Sequence, residues 1–246
     1  MKIFFFLLVA AFMNEAALAD ICGKTDDRLP SNDPRVARFT APDEFTGCAA
    51  TLISKNCIVT TGTCAARKEN AEFNVPSSIA GIPQRSRAED TYTIDYGFMI
   101  ASRGGVSEEW GVTKLSPNPI TGKSAGEVQG YFNIVSRKPK KNDTVKVIQY
   151  SHAQGNPYED TLHFAQSSGQ GVLVKAGLLF IPAILEYDID TSYGAPGAPI
   201  VNISTGELIG INTHGGCRSK KTNAGTSIWG SKDFKKAIKA CLESDR

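Results

Sequence analysis

From about residue 34 almost to its end, the chain alternates short apolar, β-branched segments with clusters of turn residues, and that rhythm points to an all-β fold. Val36–Phe39, Ala49–Ile53 and Cys57–Thr60 read as the first strands, because Val, Ile and Thr pack well on a pleated surface. Further strands are expected at Thr91–Ile94, Phe98–Ile100, Gly111–Leu115, Val128–Ile134, Val145–Tyr150, Leu162–Gln166, Val172–Val174, Leu185–Ile189, Pro199–Asn202 and Leu208–Thr213. The 23 Gly and 12 Pro among 246 residues supply the turns. One segment has helical period instead. Between Lys232 and Leu242, Phe234, Ile238, Cys241 and Leu242 fall on one face, with Lys235, Lys236 and Lys239 largely outside it. A hydrophobic content of 41% is enough for a real core.

The N-terminus carries export signals. Lys2 precedes the apolar run Ile3–Met13, which is too short to span a bilayer, and Ala17-Leu18-Ala19 is a small-x-small cleavage site. Residues 1–19 are therefore expected to be a signal peptide and 20–246 the mature domain, with an uncleaved anchor as the alternative. The six cysteines (Cys22, Cys48, Cys57, Cys64, Cys217 and Cys241) agree with export, since an even count in an exported chain reads as disulfides. The expected location is secreted, either extracellular or periplasmic. There is no CxxC pair, no cluster of histidines and no Gly-rich phosphate loop, so neither metal nor cofactor is expected. A formal net charge of +2 supplies no bulk field toward nucleic acid or lipid, and no partner of either kind is expected.

Three segments, taken in order, carry a family resemblance. The first is CAATLISKNCIVTTGTC, from Cys48 to Cys64, the second is EEWGVTKL, from Glu108 to Leu115, and the third is DTSYGAPGAPI, from Asp190 to Ile200. They resemble the trypsin-like serine proteases. The first is similar to the block in which the catalytic histidine directly precedes the second of two cysteines 16 residues apart. The second is similar to the strand that opens with the catalytic aspartate, and the third to the G-x-S-G-x-P loop that presents the nucleophile. Asp26-Asp27-Arg28 and the GINTHG stretch from Gly210 to Gly215 look most like bacterial-type glutamyl endopeptidases. The resemblance covers nearly the whole mature chain. It implies two six-stranded antiparallel β-barrels meeting near 116–128, a cleft between them and a C-terminal helix. It also implies a Cys48–Cys64 bridge, worth about 3 kcal/mol for a loop of that size. Cys22, Cys57, Cys217 and Cys241 are left with three pairings.

The chain departs from the family's reacting set at every member. Thr63 stands where the histidine belongs, and a threonine hydroxyl does not titrate near neutral pH. Glu109 stands where the aspartate belongs; with no imidazole to orient, it also reads as an ordinary strand-end carboxylate. Pro196 stands where the serine belongs. It brings no hydroxyl and no N–H, and in the family that N–H is one of two oxyanion donors. Gly194 is left as the second donor or as a simple turn glycine. Losing one serine or histidine from such a triad slows turnover about a millionfold, so no catalytic residue is expected.

Asn212 stands where glutamyl endopeptidases carry a glutamate-reading histidine. Thr213 is retained, and His214 follows two residues on, in an expected turn unless a register shift brings it into the pocket. Asn212, Thr213, His214 and Gly194 are the candidate binding residues. His152 and His163 are expected at the surface, and nothing in the sequence brings a base to Ser192. The resulting expectation is a non-catalytic protease homologue that binds a protein or peptide ligand, a protease or a protease inhibitor among them. The alternatives are an active endopeptidase with relocated residues and a structural protein with an unliganded cleft. The oligomeric state is not set by the sequence.

Overall fold

The computed structural model describes residues 20–245, so the expected signal peptide lies outside the described residues. In chain order the elements are β1 (Leu29–Pro30), β2 (Val36–Thr40), β3 (Cys48–Leu52), β4 (Cys57–Thr60), α1 (Gly62–Ala65), β5 (Asn70–Glu72), β6 (Thr91–Arg103), β7 (Glu109–Leu115), α2 (Ala125–Gln129), β8 (Thr144–Tyr150), α3 (Glu159–Leu162), β9 (Gln166–Ala176), β10 (Ile184–Tyr187), β11 (Pro199–Asn202), β12 (Leu208–His214), α4 (Cys217–Lys220), β13 (Asn223–Ser227) and α5 (Lys232–Ser244). Strands β2-β3-β4-β7-β6-β5 close into one antiparallel barrel. Strands β8, β9, β10, β13, β12 and β11 form the other, closed because β9 and β11 both pair with β8. β1 adds a short outer rung to β9. Two six-stranded barrels with a C-terminal helix are thus the architecture the chain adopts.

Period-2 alternation divides the strands of the first barrel between two cores. Ala37, Phe39, Ala50, Leu52 and Ile58 join Phe73 and Tyr92 in one. Val36, Ala49, Cys57 and Val59 join a second, which continues through Val147, Tyr150 and Ile200 of the other barrel. All five residues of β2 and of β3 are buried for this reason. Two hydrogen bonds pin the seam: the Tyr150 hydroxyl donates to the Val36 carbonyl at 3.0 Å, and the Ala49 N–H donates to the Pro196 carbonyl at 2.8 Å.

α5 crosses back to pack on β7 and β4. Ser231 caps it by accepting the Phe234 N–H at 3.2 Å, a contact worth about 1 kcal/mol. Phe234 stacks on Trp110 with ring centroids 5.2 Å apart. The disulfides are Cys48–Cys64, Cys57–Cys241 and Cys22–Cys217, and the last two settle the pairings left open by the sequence. They span 184 and 195 residues. Loops that long raise the unfolded chain by about 5 kcal/mol each in the chain-entropy picture.

The strand expectations fail locally. Val128–Ile134 is the end of α2 followed by a loop: the Glu127 carboxylate accepts the Ser124 N–H at 3.1 Å, a helix-start signal, and Gly130 stops the helix at φ 73°. Leu162–Gln166 is split between the end of α3 and the start of β9, with Phe164 between them at φ 54°. Thr91–Ile94 and Phe98–Ile100 are one 13-residue strand, β6, bulged between Asp95 and Met99. β13, of sequence NAGTS, has one β-branched residue and is a strand because β10 and β12 pair with it on both sides.

Candidate functional site

Strand and helix ends converge on the cleft between the barrels. After β4, Thr61 caps α1, its hydroxyl accepting the Cys64 N–H at 3.2 Å, and the Cys48–Cys64 bridge ties that turn to β3. Gly62 has no room for a side chain, since a Cβ there would lie 2.0 Å from the Ser102 carbonyl oxygen. α1 is thereby pressed onto β6, and Thr63 lines the cleft. Glu109, the first residue of β7, is 9% exposed, and its Oε1 accepts the Thr63 N–H at 2.8 Å. The carboxylate therefore holds a backbone amide.

The loop before β11 makes the facing wall. Gly194 has φ 102°, and a Cβ there would lie 2.6 Å from the Tyr150 carbonyl oxygen. The Ala195 N–H donates to the Ser192 carbonyl at 3.0 Å, and the Gly197 N–H to the Asn212 carbonyl at 2.9 Å. Pro196 has no N–H to offer. The Gly194 N–H has no acceptor among the described residues. At the start of the loop, Asp190 accepts the Cys22 N–H at 2.6 Å and the Asp27 N–H at 3.0 Å. Burial pushes its carboxyl up to about 6 despite those two donors, and the neighbouring Asp27 carboxylate adds to the shift. The N-terminal segment is thus strapped to this loop, and the Cys22–Cys217 bridge fastens it further.

The cleft encloses about 740 Å³, and its lining includes Thr63, Glu109, Pro196, Gly194, Thr213 and His214. The three departed positions come together there with three of the four candidate binding residues. Asn212 does not line it. It is 1% exposed; its Oδ1 accepts from the Tyr187 hydroxyl, and its Nδ2 donates to the Ala195 carbonyl at 3.0 Å. Asn212 pairs in register with Gly225, and the β12–β13 pairing slips by one residue between Asn212 and His214, so the two side chains do not share a face. The extra residue keeps His214 within β12, in the cleft wall, where a turn was expected.

His214 Nδ1 lies 2.9 Å from Thr213 Oγ1, which in turn lies 3.3 Å from the Ala224 carbonyl as donor. Burial holds the imidazole below its ordinary value, Glu109 opposes that shift and Lys220 adds to it. Burial thus favours the neutral form of the ring. His152 and His163 are half-buried against each other, ring centroids 4.5 Å apart, and do not line the cleft. Among the described residues neither His152 nor His214 makes a side-chain hydrogen bond to Ser192. Sequence reasoning missed Glu44, Arg67, Lys68 and Tyr193, which also line the cleft. Tyr193 was signalled only by its place beside Gly194, and Arg67 and Lys68 only by following α1.

Residues 24–235 match the family model described as Trypsin. The chain belongs to the trypsin family. Two solved structures are similar to this trypsin-family chain. One is a Glu endopeptidase in complex with MPD, 17% identical, with a TM-score of 0.67 over 90% of this chain and 99% of that one. The other is the protease Anisep from Arthrobacter nicotinovorans, 18% identical, with a TM-score of 0.58 over 83% of this chain and 94% of that one. At those identities the likeness is one of fold. No curated protein gives a significant match. Trypsin-type acyl transfer needs a hydroxyl, an imidazole in contact with it and a carboxylate behind the imidazole. The cleft of this trypsin-family chain is lined by a carboxylate and an imidazole, Glu109 and His214, and by Pro196.

Proposed function

We propose that this chain is a secreted trypsin-family protein without proteolytic activity, and that its cleft holds a peptide segment of a protein partner. The observation that carries the reading is Pro196, which lacks both the attacking oxygen and the N–H that would stabilise the oxyanion, in a loop whose neighbouring amides are already bonded. Thr63 supports it from the opposite wall, because no imidazole occupies that turn. Such a double loss reduces turnover by about a millionfold or more. Gly194 and His214 are the proposed peptide-contacting residues, with a free amide and an imidazole to match a peptide's polar backbone, and Thr213 beside them holds the imidazole through its buried hydroxyl. Secretion is supported by three disulfides. No described helix is long and apolar enough to cross a membrane.

The test is hydrolysis of casein and of glutamyl and arginyl reporter peptides by the purified mature protein, with a pull-down from the native secretome alongside. No turnover with a cleft-dependent partner is the expected result. Turnover that survives removal of contaminating protease and disappears on His214→Ala would overturn it.

One contact favours a second reading, an active hydrolase with relocated residues: His214 Nδ1 is within hydrogen-bond reach of a hydroxyl in the cleft. Thr213 Oγ1 is buried, however, and its proton has an alternative acceptor in the Ala224 carbonyl. Covalent labelling by a fluorophosphonate probe separates the two readings. A labelled threonine or serine that requires His214 establishes the second.

A further inference from the structure

An apolar tip projects from the hairpin joining β9 to β10. Leu179 and Phe180 are 88% and 90% exposed, and Leu178 and Ile181 beside them are exposed as well. The turn is closed, with the Leu178 N–H donating to the Ile181 carbonyl at 3.0 Å and the Ile181 N–H to the Leu178 carbonyl at 3.2 Å. Four large apolar side chains are thus held outward on a defined turn, where water gives them no stabilisation.

The tip adjoins a basic, aromatic neighbour. Gly230 packs so tightly on Pro182 that a Cβ would lie 1.9 Å from its carbonyl oxygen, and the Ser227 N–H donates to the Ala183 carbonyl at 2.7 Å. Between those two anchors Trp229 is 38% exposed, with Lys235 Nζ 5.2 Å from its ring centre. Lys232 and Lys236 are exposed on the same first turns of α5. Asp233 is the acidic residue among them; Lys239 is paired with Glu243, and Lys175 at the hairpin is paired with Glu186. Local charge at the start of α5 is therefore positive, although the whole chain carries only +2.

We propose that this face docks the protein onto an anionic lipid bilayer. Leu178–Ile181 enter the acyl boundary, Trp229 lies at the headgroup level, and Lys232, Lys235 and Lys236 meet the phosphates. The tip's apolar end, with a Trp and exposed lysines beside it, matches the layering of a bilayer surface, and those lysines complement anionic headgroups. With so low a net charge the attraction acts only at short range, within about a Debye length of 8–10 Å.

The mature protein is sedimented with vesicles of phosphatidylcholine alone and of phosphatidylcholine mixed with phosphatidylglycerol. Binding to the mixed vesicles only is expected, weakened by salt. A fall in affinity of about tenfold or more is expected for Leu179→Ser with Phe180→Ser, and a smaller fall for Lys235→Glu with Lys236→Glu. Brominated acyl chains should quench Trp229, and Trp229→Phe should abolish the quenching because Trp110 is buried. Absence of binding to the mixed vesicles, or equal binding by the folded serine variant, overturns the proposal. So does a concentration-dependent dimer that the serine variant abolishes, which would assign the tip to a second copy of the chain.

Discussion

Replacing Asn212 with alanine separates a scaffold role from a ligand-reading one. Its carboxamide bonds the Tyr187 hydroxyl and the Ala195 carbonyl, and all three groups are buried. Burial pushes the Tyr187 hydroxyl well above its ordinary pKa, so it remains a neutral donor that needs an acceptor. Removing the carboxamide leaves the Tyr187 hydroxyl without its acceptor, at about 1–3 kcal/mol, while the Ala195 carbonyl keeps the Ala198 N–H at 3.0 Å. At roughly 2–4 °C per kcal/mol for a chain of this size, the melting temperature should fall by roughly 2–12 °C. Urea unfolding of the disulfide-intact protein measures the change directly. His214→Ala is the control: half-buried and in contact with the adjacent Thr213, it should shift stability by about 1 kcal/mol or less while weakening any cleft ligand. A change below about 1 kcal/mol for Asn212→Ala would refute the assignment of its amide to the fold.

Other outcomes follow from the same geometry. Asp190 holds its proton more tightly folded than unfolded, so its stabilising contribution is complete at low pH and is lost as pH rises from the ordinary carboxylate range to about 6. Asp26, Asp33 and Asp245 are shifted the other way, so the readout is the difference in urea midpoint between wild type and Asp190→Asn, which should narrow across that window. Pro196→Ser combined with Thr63→His should accept a fluorophosphonate label while neither single change does, because hydroxyl and imidazole act as a unit. Labelling of Pro196→Ser alone would mean that His214 reaches that position. Trp110→Ala, which removes the stack on Phe234, should cost about 3–5 kcal/mol by urea unfolding.

The barrels were legible because their strands are built from runs such as CIVT and VARFT, whose branched side chains declare a pleated, buried surface. α5 was legible because Phe234, Ile238 and Cys241 recur at helical spacing. What the sequence concealed is determined by partners distant along the chain. β13 is a strand because of its neighbours, α2 replaces an apolar strand pattern through the Ser124–Glu127 cap, and the Cys57–Cys241 pair depends on where α5 lands. At the site, Thr63, Glu109 and Pro196 could be located from fixed motifs. The exchange of roles between Asn212 and His214 could not, because one bulge residue decides which side chain faces the cleft and which faces the core.

The loop around Pro196 keeps its shape through groups that proline still has. Its carbonyl accepts the Ala49 N–H across the seam, and the amides of Ala195 and Gly197 are bonded to Ser192 and Asn212. The one group proline removes, its own N–H, is replaced by a restricted φ that lowers unfolded-chain entropy, worth up to about 1 kcal/mol where the native conformation suits it. Glycine is a different matter at the next position. Gly197 has φ 85°, and a Cβ would lie 2.1 Å from the Ala49 carbonyl oxygen and 2.3 Å from Thr60 Oγ1. Cleft shape is therefore set by Gly197 and Asn212, and cleft chemistry by positions 63 and 196. On that division Gly197→Ala should destabilise the protein by about 2–5 kcal/mol through backbone strain and overpacking. Pro196→Ser and Thr63→His should each stay within about 1 kcal/mol of wild type. If Pro196→Ser destabilised the protein as much as Gly197→Ala does, the proline would be part of the scaffold, and the independence of binding shape from reacting groups would be wrong.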